Sequence, residues 1–338
     1  MLILFRGRLM DGSRLIALAT MELKCTQTDL AKKIGVSQAQ ISLWKSGEHM
    51  SGEMEEKLKE LLDIGELNPD FVHWTGGLEQ SRKWYALIGV LADHALYACE
   101  TGYNTRFLQD EDDVRSILAW STIRILMDMG LSIPQIFPAE IDFEGVGNDQ
   151  HSDSYLERLD ENFICQIITG GYEALNNLFG FFAAYILPII EADPDNDQKR
   201  FEIYELESEL LELAFTKAGE EAESMPDYSI YSYKTEQYWA KSIEELKVYA
   251  VKNQISLKAE LMDLISQDHE STGQSAERER AGFNVGQVHP DIYMNEILLN
   301  LRLINQVLPV ICKKLGIEAH EYDFDETEFS SLKVTASK

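Results

Sequence analysis

Apolar residues recur every three or four positions along nearly the whole chain, and no long run alternates apolar with polar. The first spacing buries one face of a helix, while the missing one is what a half-buried strand needs. The pattern therefore predicts an all-α protein. Helices are expected near 12–22, 27–34, 38–45 and 53–64. A break at 65–77, marked by Asn68-Pro69 and Gly76-Gly77, separates them from helices near 78–101, 111–129, 154–169, 171–191, 197–219, 234–252, 256–267 and 290–315. Acidic or glycine-rich stretches at 142–154, 219–232 and 267–290 read as connections, the last as a mobile loop. The end, 323–338, reads as a frayed tail. No repeat of 33–45 residues stands out, although a degenerate array of helix pairs fits the same pattern. Ser13 is placed to cap the first helix, which makes 1–9 an expected extension from a misjudged start.

The tightest patterning lies in TQTDLAKKIGVSQAQISLWKSG, residues 26–47. Thr26 suits the cap of a helix whose face carries Leu30 and Ile34, with the small Ala31 beside them. Gly35 can turn the chain through a left-handed conformation, and Val36 plugs the turn. Ser37 and Gln40 have the S-x-x-Q spacing of a capping box for the next helix. Ile41 and Trp44, three apart, share its inward side. Gln38, Ala39, Ser42 and Leu43 are left pointing out, with Lys45 beside them.

These residues resemble the XRE-type, phage-repressor-like helix-turn-helix domains. The pattern T/S-Q-x-x-L-A-x-x-x-G-V-S-x-x-x-I-S-x-W-x-x-G is met by Thr26, Gln27, Leu30, Ala31, Gly35, Val36, Ser37, Ile41, Ser42, Trp44 and Gly47. SRLIALATM upstream and MEEKLKELLDI downstream supply the other core helices of such a domain. The frequent Glu after the Trp is Lys45 here. The resemblance implies a lambda-repressor-like domain over 10–66, a linker at 67–77, and a larger α-helical bundle or helix-pair array over 78–322.

It also implies a partner, double-stranded DNA, with helix 38–45 entering the major groove. Gln38 is the foremost candidate for reading a base, because its amide can pair with adenine in two places. Ala39 and Leu43 suit a thymine methyl, and Ser42 a base or phosphate. Gln40 reads a base only if it does not close the capping box. Thr26, Gln27, Lys45 and Ser46 are candidates for backbone contacts, which position the protein without reading sequence.

Charge sharpens this picture. Residues 1–50 carry seven Lys and Arg against four acids, a net of +3 in a chain of −28, leaving −31 for the rest. So acidic a body repels phosphate, which confines any nucleic-acid contact to the first 50 residues. Cys25, Cys99, Cys165 and Cys312 are scattered, as free thiols of a reducing cytoplasm would be. The amino terminus has too short an apolar run for a signal peptide. The longest apolar run, LFGFFAAYILPII, falls short of the roughly 20 residues a membrane helix needs and is expected in a core.

Catalytic patterns are missing. No HExxH, glycine-rich phosphate loop or G-x-S-x-G occurs, so neither enzyme activity nor a metal or other cofactor is expected. Asp93-His94 in an apolar helix and Asp268-His269-Glu270 in the expected loop read as structural and solvated groups respectively. Trp84, Tyr85, Tyr97, Trp120, Tyr172, Phe179, Phe181, Phe182 and Tyr185 read as core, with a ligand pocket as the alternative.

Near the carboxy terminus Ile297, Leu301, Ile304, Leu308, Ile311 and Leu315 follow a 4-3-4-3-4 spacing. They are the candidates for a dimer seam, although Leu298, Leu299, Leu303, Val307 and Val310 widen the face enough for burial in the body's own core. Pro309 should bend this helix. Trp239, Ile243, Leu246 and Ala250 form a similar stripe. One repressor head binds DNA modestly, so the expected assembly is a homodimer on an inverted-repeat operator. Its body would dimerise and receive a peptide, small-molecule or protein effector. The alternatives are an antitoxin or protein-interaction module that controls its own promoter, and a peptide-sensing regulator with a helix-pair body.

Overall fold

The first four helices follow the expected bounds closely, because their start and stop signals lie next to them in sequence. α1 (Gly12–Glu22), α2 (Gln27–Ile34), α3 (Gln38–Lys45) and α4 (Gly52–Leu62) enclose a small core of Leu15, Ile16, Ala19, Leu30, Ala31, Ile34, Ile41, Trp44, Met50, Leu58 and Leu62. The computed structural model describes residues 12–99, 101–103, 105–109, 112–142, 153–191, 197–253, 261, 263–282 and 290–316. The proposed extension 1–9 and the tail 323–338 lie outside them. All the regular structure among the described residues is helical. α1 begins at Gly12, so Ser13 sits inside its first turn and is not its cap.

The stretch expected as a linker holds another helix, α5 (Pro69–Trp74). Asn68 accepts from the Asp70 amide as its cap, and Pro69 occupies the first turn, where a missing N–H costs nothing. Phe71 and Val72 are buried, and α5 packs against α1, α6 (Leu78–Tyr97) and α7 (Asp112–Asp128). Arg14 of α1 pairs with Asp70 of α5. At the far end of α1, the Glu22 carboxylate accepts from the Leu78 amide at 2.9 Å, capping α6. The head is thereby fastened to the body at both ends of α1.

The body is built around α9 (Phe163–Phe181), which Asn162 caps through the amides of Ile164 and Cys165. A helix break expected at Gly170-Gly171 does not occur, since both glycines are helical. A Cβ at Gly170 would overlap the Ala218 carbonyl oxygen, and one at Gly171 would come 2.8 Å from the Phe215 ring. They let α9 lie close to the end of α11 (Asp197–Phe215) and to the turn that follows it. The break comes earlier, after α8 (Asp153–Asp160). Beyond α9 a π turn, Phe182–Ile186, leads into α10 (Leu187–Glu191). This is the longest apolar run of the sequence, with Phe181, Phe182, Tyr185, Ile186 and Ile189 buried as expected. No helix among the described residues is long and apolar enough to cross a membrane.

After the short α12 (Glu220–Glu223), α13 (Tyr228–Lys252) starts earlier than its apolar stripe suggests. It buries Trp239, Ile243, Leu246 and Ala250. α14 (Asp263–Ser266) falls within the helix expected at 256–267, whose first residues are outside those described. The largest correction is α15 (His269–Arg280), a helix where a mobile loop was expected. Asp268 caps it by accepting from the Ser271 amide at 2.8 Å and from the Ser271 hydroxyl. Its buried positions are the small Thr272, Gly273 and Ala276, and a Cβ at Gly273 would overlap the Asn177 side chain. Close backbone approach to α9 replaces bulky side chains here, so the usual apolar signal is absent.

The chain divides into two compact units, Met1–Gln287 and Val288–Lys338. The described part of the second is α16 (Pro290–Leu315), with Pro309 inside it. On α16 Leu298, Leu301, Leu303, Ile304, Val307, Leu308, Val310, Ile311 and Leu315 are exposed, whereas Ile297 is half-buried and Cys312 buried.

Candidate nucleic-acid interface

α2 and α3 are joined by a turn that local chemistry dictates. Gly35 adopts φ 78°, and its amide donates to the Ala31 carbonyl. A side chain there would be strained, which is why glycine suits the position. From α4, Lys57 donates to the Ile34 carbonyl at 2.7 Å and places a cation at the negative end of α2. No local pattern in the sequence announces that contact.

Ser37 starts α3 by accepting from the Gln40 amide at 3.1 Å. The return bond that would complete a capping box, from the Gln40 side chain to the Ser37 amide, is not made among the described residues. The complete box lies one helix earlier. Thr26 accepts from the Asp29 amide, and Asp29 accepts from both the amide and the hydroxyl of Thr26. These bonds hold the Asp29 carboxyl below the usual carboxylate range, with Lys32 and Lys33 helping. The T-x-x-D spacing was available in the sequence. Its consequence for the interface is that the Thr26 hydroxyl is already committed and a fixed anion stands beside it.

Along α3, Ile41 and Trp44 are buried and hold the helix down. Gln38, Ala39, Ser42, Leu43, Lys45 and Ser46 are exposed, and Gln40 is half-buried. Leu43 keeps 40% of its surface open. The Ser42 hydroxyl donates to the Gln38 carbonyl and the Ser46 hydroxyl to that of Leu43. Among the described residues, the side chains of Gln38, Gln40 and Lys45 have no such partner. The outward edge of α3 therefore presents two uncommitted amides at its start and an ammonium at its end.

Residues 16–64 match a family model described as helix-turn-helix. The N-terminal domain is an XRE-type helix-turn-helix domain. Such domains belong to DNA-binding transcription regulators, and that general role is the one this domain supports. The match stops at Ile64. No curated protein and no solved structure matches the chain.

In the body, the polar and aromatic residues singled out by the sequence are placed as follows. Asp93 pairs with Arg115 at 2.6 Å, and Arg115, only 2% exposed at its side chain, also donates to the Gly89 carbonyl. The neighbouring His94 is half-buried. Asp268 and Glu270 are exposed as expected, Asp268 also serving as a helix cap, and His269 Nδ1 lies 2.9 Å from the Asn177 amide nitrogen. Of the aromatic set, Trp84, Tyr172, Phe181, Phe182 and Tyr185 are buried, with Trp84 edge-on to Phe137 and Phe181 stacked on Tyr185. They fill a core. Tyr97 instead is 94% exposed, and Trp120 stacks on Trp74 with Arg124 over its ring. Burial pushes the Cys165 thiol up to about 12, which keeps it in the unreactive protonated form. No group of three His, Cys, Asp or Glu among the described residues is arranged to hold a metal.

Proposed function

We propose that this protein is a sequence-specific transcription regulator, acting as a homodimeric repressor, that inserts α3 into the major groove of an inverted-repeat operator. The observation that carries the reading is the outward edge of α3. Gln38 and Gln40 stand uncommitted at the end of the helix that meets base edges, Leu43 lies exposed beside them, and Ile41 and Trp44 fix the helix from beneath. Lys45 with Gln27 supplies backbone contacts, while the strongly acidic body stays off the duplex. Two heads are brought together through the seam Ile297, Leu301, Ile304, Leu308, Ile311 and Leu315. An effector acts on the body, and the fastening of α1 to α5 and α6 gives it a rigid route to the head.

The test is selection of bound fragments from the native genome, followed by affinity measurements on the site recovered. Gln38→Ala should relax preference at one operator position by about 1–3 kcal/mol. Lys45→Ala should weaken binding to every sequence alike and reduce the dependence on salt. Failure to enrich any sequence, with both variants binding like the parent, overturns the reading.

A further inference from the structure

The exposed face of α16 has an internal order that states how many helices it can meet. Along the six residues of the longest 4-3-4-3-4 series the spacing fixes the heptad phase, since a and d positions are separated by three and then four residues. Leu301, Leu308 and Leu315 fall at a, whereas Ile297, Ile304 and Ile311 fall at d. Leucine at a with isoleucine at d is the arrangement that disfavours two parallel strands and favours three or four. Side chains branched at Cβ pack well at one geometry and poorly at the other, and the Leu/Ile order here is the reverse of a two-stranded seam.

The flanks agree. Two-stranded seams usually carry Glu and Lys at e and g, pairing across the interface. Here the e positions are Leu298, Asn305 and Cys312, and the g positions are Asn300, Val307 and Lys314. Val307 at g, with Leu303 and Val310 at c, broadens the apolar face beyond what one partner helix covers. Pro309 falls at b, away from the seam, so its missing N–H faces the solvent side of the helix. Between Ile297 and Cys312 the one charged residue is Arg302, also at b. The face is thus neutral in a chain of net charge −28, which lets copies meet there despite their acidic bodies.

Area shows that the face calls for a partner but does not set the number of copies. The nine exposed large aliphatic side chains of α16 offer together on the order of 800 Å² per copy, the share each partner contributes to a standard stable interface. Monomers rarely leave a patch above a few hundred Å² uncovered. We infer that the occupant of this face is three further copies of the same chain, α16 forming a parallel four-stranded bundle. The inference rests on the proposed role of α16 as the seam between copies and deepens it from two copies to four. Four heads on one bundle would engage two operators at once, as two pairs.

Sedimentation equilibrium on the full-length protein tests this. The expected mass is four times the 38.5 kDa chain. A composition-neutral exchange, Ile297→Leu, Leu301→Ile, Ile304→Leu, Leu308→Ile, Ile311→Leu and Leu315→Ile, restores the two-stranded order and should halve the mass at unchanged helix content. Leu308→Glu, which puts a charge at a central a position, should give monomers. A parent of dimer mass overturns the four-stranded bundle but leaves the two-headed operator reading standing. A parent of monomer mass, or a trimer, overturns the bundle and also the pairing of heads, while operator selection still judges DNA binding separately. An exchanged variant that stays tetrameric shows that the order at a and d does not set the number, and overturns the inference as well.

Discussion

The head and the body of the first unit are held by restraints of very different reach. In the head, Thr26 closes over Asp29, Ser37 over Gln40, and Gly35 over Ala31, each within four residues. In the body, Asn176 donates to the Ala95 carbonyl 81 positions away, and Asn177 meets His269 across 92. Glycines along α9 bring backbones together where a side chain would keep them apart. A module of local restraints can form by itself, whereas one of distant restraints needs most of its chain in place first. Fixing α3 by short-range means keeps its outward edge rigid even where the body shifts the head as a unit.

The sharpest way to break this comparison is to empty the head's core. Trp44 is buried beneath α3, and Trp44→Ala should cost about 3–5 kcal/mol, unfolding the head and abolishing operator binding. Because the body's restraints lie elsewhere, Trp84 and Trp239 should remain buried and most of the helical signal should survive. Loss of the whole far-ultraviolet signal in one transition would mean that the body cannot stand without the head.

The converse substitution strikes the body alone. Gly170→Ala places a Cβ against the Ala218 carbonyl oxygen, a backbone atom that cannot swing aside. Overpacking of this kind should cost about 1–3 kcal/mol, read as a lower denaturation midpoint. Operator affinity of the folded fraction should be unchanged. A matching loss of affinity would show that the fastening through Glu22 and Arg14 transmits strain into α3.

The same contrast decides what could be seen in the sequence. The four head helices and the outward edge of α3 were legible because caps, turn glycine and buried positions follow one another within a few residues. α5 was missed because Asn68-Pro69 is as good a helix start as it is a turn, and only the burial of Phe71 and Val72 decides between them. α15 was missed because Thr272, Gly273 and Ala276 carry no apolar signal, their value lying in how closely α9 can approach. Gly170-Gly171 read as a break for the same reason. The exposure of Gln38 and Lys45 on the outward edge of α3 followed from spacing alone. The commitment of Thr26 to Asp29 is implied by the T-x-x-D spacing, whereas the Lys57 contact at the end of α2, 23 residues from its partner Ile34, leaves no local trace.

The smallest expected effect is one of pH, and it should separate the two regions again. Asp29 in the head and Asp268 in the body both cap helices, and hydrogen bonds to Thr26 and Ser271 respectively hold each carboxyl below its ordinary range. A carboxyl whose pKa is lower in the folded state contributes its full stabilisation above the unfolded pKa of about 3.9 and loses it as pH falls through the lower folded value. Both caps therefore weaken on strong acidification, by modest amounts because both groups are open to solvent. The body also contains Asp128 and Glu207, whose carboxyls burial raises. For these the sign reverses, since the cost of burying the charge disappears as they take up a proton. The head has no such compensation among its described residues with shifted carboxyls, so in a titration of thermal midpoints from about pH 5 downward it should soften before the body. Asp29→Asn should flatten the head's acid loss, and Asp268→Asn should change the body's alone. If Asp29→Asn left the head's pH profile unaltered, the capping box at α2 would not be among the restraints that hold the interface in shape.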